Sequence, residues 1–246
     1  MAKTWRSRTG PARRNGLLRL GKAAVLLVAF SAIGAPAASA SPSAPNTCFN
    51  NSGIPCYARA AFYNGKAYGG GYVDVKVTDT SASGNAWLNE TLWVTTNNKS
   101  EQYWAEIGYT DNNPLCRGKR SWYYTYVNPK KTVQHCIKGA VTKGKWYTLE
   151  IQKTSSDAYK IYLNYNLVAT DKGASGWTYY VYAGAEYHLT TVNTNGDAHF
   201  ADNQLRSKKC CHWSHWPSGS SDVSYSQDLN WRWTKHWTQG YDSGSD

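Results

Sequence analysis

Apolar and polar positions alternate with period two over short stretches of this chain, and no long run follows the 3.6-residue period of a helix. Residues 72–78 set Val73, Val75 and Val77 against Asp74 and Lys76, the pattern of a half-exposed strand. Residues 86–96 carry Leu88, Glu90, Leu92 and Val94 on one face and Trp87, Thr91 and Trp93 on the other. In residues 100–110, Tyr103, Ala105, Ile107 and Tyr109 alternate with Trp104, Glu106 and Gly108. The short Asn97-Asn98-Lys99 turn predicts that these last two strands pair as neighbours. Further strands are predicted over 57–64, 121–127, 145–153, 159–163, 167–170, 178–182, 185–193 and 198–205, with Asn64-Gly65 and Asn195-Gly196 as turns. The fold class is all-β: a two-sheet antiparallel sandwich.

The first 40 residues follow a different pattern. Seven Lys and Arg residues without an acid precede the apolar run Ala23 to Ile33, and Ala38-Ser39-Ala40 has the small residues of a cleavage site. The run is too short to span a bilayer, so 1–40 reads as a secretory signal peptide, with Arg13-Arg14 leaving the export route open. Its removal lowers the formal net charge from +11 to +4, because 20 Lys+Arg then face 16 Asp+Glu. The basic character thus belongs to the leader, and no nucleic-acid partner is expected. After cleavage no membrane contact is expected either. A secreted monomer is the expected product.

All six cysteines follow the cleavage site, as suits an oxidised extracellular protein. Cys116 and Cys136 bracket a hairpin and are expected to pair, while Cys210 and Cys211 are expected to reach back to Cys48 and Cys56. The alternative is a zinc site from Cys210, Cys211, His212 and His215, which lacks the usual spacing between cysteines, so neither metal nor cofactor is expected. The β domain is assigned to 41–206. Residues 207–246, rich in Trp and His, are assigned to a disulfide-tethered extension whose indoles either cover apolar surface or form a sugar-binding ridge.

The candidate chemistry lies in two carboxylates. Glu106 sits between Trp104 and Gly108 on its face, and Glu186 shares a face with His188 while Ala185, Tyr187 and Leu189 take the other. Such residues are often merely solvated or ion-paired, but both of these sit among aromatics in largely apolar strands. Trp122, Tyr124 and Tyr126 form one face of 121–127, either a wet stacking platform or ordinary core. The candidate ligand-binding residues are therefore Trp104, Trp122, Tyr124 and His188, with Glu106 and Glu186 catalytic if the chain is an enzyme.

The segments Trp93-Val94, Glu106-Ile107-Gly108, Trp122-Tyr123-Tyr124, Trp146 to Gln152 and Ala185-Glu186-Tyr187 follow an order that resembles the concanavalin-like jelly rolls. Within them it is most similar to the glutamic peptidases, the eqolisin family. The resemblance implies a jelly-roll sandwich with Glu186 as the catalytic glutamate. The family's catalytic glutamine falls on Glu106, and an ionised carboxylate cannot donate a hydrogen bond to an oxyanion as an amide does.

Three functions follow from these residues. One is a module binding an extracellular polysaccharide through an aromatic concave face. The second is a glycan hydrolase using Glu106 and Glu186, and the third is an acid protease of the glutamic kind, acting on polypeptide. The cysteine reading makes a direct prediction. Thiol titration of unfolded, unreduced protein should find no reactive thiol, and two or more would reopen the zinc reading.

Overall fold

The computed structural model describes residues 56–78, 81–82, 84–96, 103–128, 131–155, 157–173, 176–188, 192–193, 199–209 and 212–216, and the short strands 223–225, 231–234 and 237–240. The leader, Cys48, the 97–99 and 195–196 turns, and Cys210 and Cys211 lie outside the described residues, as does the side chain of Cys56. The described strands in the first half are β1 (Cys56–Phe62), β2 (Gly70–Lys76), β3 (Ser81–Ala82), β4 (Trp87–Thr96), β5 (Trp104–Asp111), β6 (Ser121–Asn128) and β7 (Lys131–Ile137). Those that follow are β8 (Trp146–Ser155), β9 (Ala158–Leu163), β10 (Asn166–Lys172), β11 (Thr178–His188), β12 (Val192–Asn193), β13 (His199–Arg206), β14 (Trp213–His215), β15 (Val223–Tyr225), β16 (Trp231–Thr234) and β17 (Trp237–Gly240).

Two antiparallel sheets make the jelly-roll sandwich. One runs β15-β1-β11-β4-β5-β6-β7 and the other β10-β9-β8-β2-β13-β14. The period-two patterns decide which side chains meet between them. Leu88, Leu92, Val94, Ala105, Ile107, Val181, Ala183 and Ala185 of the first sheet are completely buried with Val73, Val75, Leu149, Ile151, Ile161 and Phe200 of the second. At about 25 cal/mol per Å2 of apolar surface, burial on this scale is the main term opposing chain entropy. The strand predicted over 178–182 and the first part of that predicted over 185–193 are one continuous strand, β11, which ends at His188, while Val192–Asn193 form β12 and 189–191 lie outside the described residues.

Strand β7 escaped prediction. Its residues, KTVQHCI, are polar and largely exposed, which suits a sheet edge with little apolar face to bury. The Cys116–Cys136 disulfide ties that edge to the turn at Pro114–Cys116, as the hairpin reading expected. Residues after 206 do more than trail from the sandwich. β14 pairs with β13 and β15 with β1, so they close one edge of each sheet. Trp216 is fully buried against Phe62, with its backbone N–H donated to the Asn203 carbonyl at 2.9 Å.

The aromatic strand β6 corrects one expectation. Its register pairs Trp122 with Tyr109 and Tyr124 with Ile107, which places both on the core side of the sheet and away from the face of Glu106. Trp122 is 2% exposed, packs against Tyr109 and Tyr147, and donates its indole N–H to the Ala140 carbonyl at 3.2 Å. Tyr124 is half-buried at the margin of the core, stacked on Tyr126. Neither belongs to a binding face shared with Trp104. Accordingly, Trp122→Ala should lower unfolding free energy by about 3–5 kcal/mol, as for a large core truncation. Denaturant unfolding of Trp122→Ala beside Trp104→Ala checks this, with Trp104→Ala expected to be much the milder.

Candidate functional site

Strand β4 is the axis of the site, flanked by β11 on one side and β5 on the other. The face turned away from the core carries Asn89, Thr91 and Trp93 from β4. Across from them stand Glu186, Gly184 and Tyr182 on β11, and Thr110, Gly108 and Glu106 on β5. Glu106 and Glu186 therefore share one sheet face, one on each side of the Gly184–Thr91–Gly108 row. Thr91 in the middle of that row is completely buried, and Tyr123 of β6, beside Gly108, reaches over towards Glu106. At Gly108 the backbone requires it, because a Cβ there would lie 2.2 Å from the Glu90 carbonyl oxygen and 2.6 Å from Thr91 Cβ.

Glu106 is 4% exposed, and its carboxyl is bonded on several sides. The Tyr123 hydroxyl donates to Oε1. Thr91 and Trp93 side chains also hydrogen-bond it. Glu186 is half-buried and accepts a hydrogen bond of 3.1 Å from the Asn89 side-chain amide. Burial pushes the Glu106 carboxyl up to about 8, the nearby charge of Glu186 adds to the shift, and the Tyr123, Thr91 and Trp93 bonds offset part of it. Burial, then Glu106 and Glu186, drives the Tyr123 phenol well above its ordinary value, so it remains a neutral donor. Burial and the neighbouring Glu186 thus both favour the protonated carboxyl at Glu106.

The same face carries an aromatic tract on one side of the pair. Tyr182, Trp93 and Glu106 lie in one cross-strand row, and Tyr180, Thr95 and Trp104 in the next. Tyr180 stacks on Tyr182 at 5.9 Å and on Tyr63 at 4.3 Å, with the Arg59 guanidinium 4.9 Å from the Tyr182 ring centre. Tyr63 is exposed and Trp104 half-buried, so the tract opens to solvent at its outer end. The structure thus brings Glu106, Glu186 and Trp104 onto one face and leaves Trp122 and Tyr124 out. His188 ends β11 in register with Trp87, and its side chain lies outside the described residues.

Asn89, Thr91 and Tyr123 were not singled out in the sequence. The signal for Tyr123 was present: if Trp122 and Tyr124 face one way, Tyr123 faces the other, and the register sets it opposite Gly108. Asn89 and Thr91 share the Trp87–Trp93 face of the 86–96 alternation. Among the described residues no cluster of His, Cys, Asp or Glu has the arrangement of a metal site. His215 sits with its Nδ1 3.0 Å from Asp202 Oδ1.

No protein-family model matches the chain, and no curated protein matches it in sequence. Solved structures do. Scytalido-glutamic peptidase with a transition state analog inhibitor superposes with a TM-score of 0.54 at 13% identity, over 75% of this chain and 97% of the peptidase. The same peptidase with a peptide-based transition state analog gives a TM-score of 0.51 at 10% identity, with the same coverage. The chain has the fold of the glutamic peptidases. A Bacillus licheniformis β-glucanase is a more distant likeness, with a TM-score of 0.38 at 11% identity over 79% of this chain and 95% of the enzyme. At these identities the likeness concerns the fold alone.

The state of Glu106 sets a pH dependence. The unfolded carboxyl loses its proton near the ordinary 4.5 and the folded one near 8, so between those values the unfolded state binds fewer protons. The stabilisation is complete below 4.5 and is lost as pH rises through the folded value. Stability should therefore fall from pH 4.5 to 8 in the native chain, and fall less in Glu106→Gln, which has no proton to lose. Urea midpoints measured across that range check it.

Proposed function

We propose that this chain is a secreted hydrolase acting on an extracellular polymer, with the Glu106–Glu186 pair as its catalytic groups and polypeptide as the substrate class. The observation that carries the reading is the placement of Glu106 and Glu186 on one sheet face, with burial favouring the protonated form of Glu106. An acid group that keeps its proton can donate a hydrogen bond to a developing oxyanion, the task of an amide at the equivalent place in the resembling family. The glutamine-to-glutamate difference then becomes compatible with acyl-transfer chemistry at acid and neutral pH.

In this reading Glu186, oriented by Asn89, takes a proton from water as the oxygen attacks the scissile carbonyl carbon. The carbonyl oxygen becomes an oxyanion that accepts a hydrogen bond from Glu106. Collapse of the tetrahedral intermediate breaks the C–N bond, and the proton on Glu186 passes to the leaving amine. Tyr123 and Thr91 hold Glu106 in place. The tract of Trp104, Trp93, Tyr182 and Tyr180 provides a surface along which an extended polymer could lie. Polypeptide is favoured because the fold likenesses above a TM-score of 0.5 are to a peptidase.

A binding-only reading rests on that aromatic tract, which would stack on sugar rings without help from the carboxyls. The two separate cleanly. Glu186→Gln should reduce turnover of a denatured protein substrate at acid pH by about 10²-fold or more, as expected for loss of a general base, while leaving the fold intact. Glu106→Gln should keep activity and extend it to higher pH, since the amide donates at every pH. Digestion of denatured casein from pH 3 to 9 is the measurement. No cleavage by the native chain at any pH, with polysaccharide retention that requires Trp104, would establish the binding module instead.

A further inference from the structure

The second sheet carries its own site on the opposite outer face of the sandwich. Val73, Leu149, Ile151, Ile161 and Leu205 turn inward, so their neighbours in sequence turn out. The register then aligns His215, Gln204, Tyr72, Glu150 and Tyr162 in one row across β14, β13, β2, β8 and β9. This row is the floor of a groove of about 550 Å3, a size typical of small-ligand sites. Tyr72 and Glu150 at its centre are 9% and 6% exposed.

The walls are aromatic. The Trp213 ring meets Tyr72 edge-on at 5.8 Å, and Tyr165 leans over Tyr72 at 6.4 Å with their hydroxyls 3.0 Å apart. Tyr165 is 68% exposed, yet its backbone is held at φ +63 after Asn164 at φ +47. Positive φ at both central residues of a two-residue hairpin suits Asn followed by Gly. A bulky side chain there is a rare and strained choice. Asp202, also facing the groove, stands at φ +55 where β13 bulges against β2. The strained backbone at Tyr165 places its ring over the groove rather than out in solvent-facing hairpin space.

We propose that this groove binds a neutral saccharide, independently of the Glu106–Glu186 face. Glu150 already takes the Gln152 amide at 2.5 Å, and Asp202 Oδ1 stands 3.0 Å from His215 Nδ1. A cation at Glu150 would compete with a bond already made. The Gln152 and Gln204 amides offer both donors and acceptors, as sugar hydroxyls need. The rings of Tyr72, Tyr162, Tyr165 and Trp213 offer apolar faces to the C–H side of a pyranose, with hydroxyls or an N–H at their rims.

Affinity electrophoresis of the full chain in gels containing laminarin, xyloglucan or galactomannan tests the proposal. At least one of these neutral polysaccharides should retard the native chain. Tyr165→Gly should weaken that retardation about tenfold while leaving the melting temperature equal or higher, because glycine relieves the positive φ. Trp213→Ala should weaken it as well, and Trp104→Ala, on the opposite face, should not. The proposal is overturned if none of the three retards the native chain, if Tyr165→Gly migrates as the native chain does, or if Trp104→Ala abolishes retardation. Competition by spermidine but not by free glucose, galactose or mannose would likewise overturn it, by assigning the groove to cations.

Discussion

An ionised carboxylate buried beside a second carboxylate costs several kcal/mol, and at Glu106 the chain avoids that cost by keeping the proton. Much of the surrounding sheet follows from this. Tyr123 and Trp93 must offer hydrogen bonds, because a buried carboxyl without partners would destabilise the fold in either state. Gly108 must be glycine for β5 to lie close against β4. Asn89 holds Glu186 at the half-buried side of the pair, where solvent can reach it. Four strands, the consecutive β4, β5 and β6 and the distant β11, converge on one chemical state.

Buried polar groups also appear on the core side. Glu90, fully buried, accepts from the Thr78 hydroxyl at 3.2 Å beside Tyr109. Lys153 is buried with its ammonium 4.1 Å from the Tyr159 ring centre and its charge balanced by Asp171, which takes a 2.9 Å bond from Asn128. Burial drives Lys153 down to about 8 against the pull of Asp171. Such groups contribute little net stability compared with apolar replacements, but they penalise any other register of the strands that carry them. The sandwich is specified by polar satisfaction as well as by apolar alternation.

Much of this was readable from the residues. The strands around Val73–Val77, Leu88–Val94 and Tyr103–Tyr109 were legible because each buries one face, and period two then fixes every side chain's direction. Pairing of β4 with β5 followed from a short turn. Misassignment arose where one face was as aromatic as the other. In SWYYTYV both faces are rich in rings, so alternation alone could not tell the Trp122 face from the Tyr123 face. Only the register against Gly108 and Glu106 decides it. The polar edge strand β7 and the edge-closing strands β14 and β15 left little periodic signal, since their positions depend on backbone pairing more than on burial.

The closure of both sheet edges by late residues bears on when the molecule can fold. Strand β1, early in the chain, hydrogen-bonds to β11 and β15 on its two sides, and neither has been synthesised until much of the chain has been made. Its partners are more than a hundred residues away, so loop closure must precede any gain from pairing. Folds dominated by such distant contacts form slowly. Until its last strands arrive, the nascent chain lacks the pairings that would lock the sandwich, and β1 must wait with both its edges unpaired.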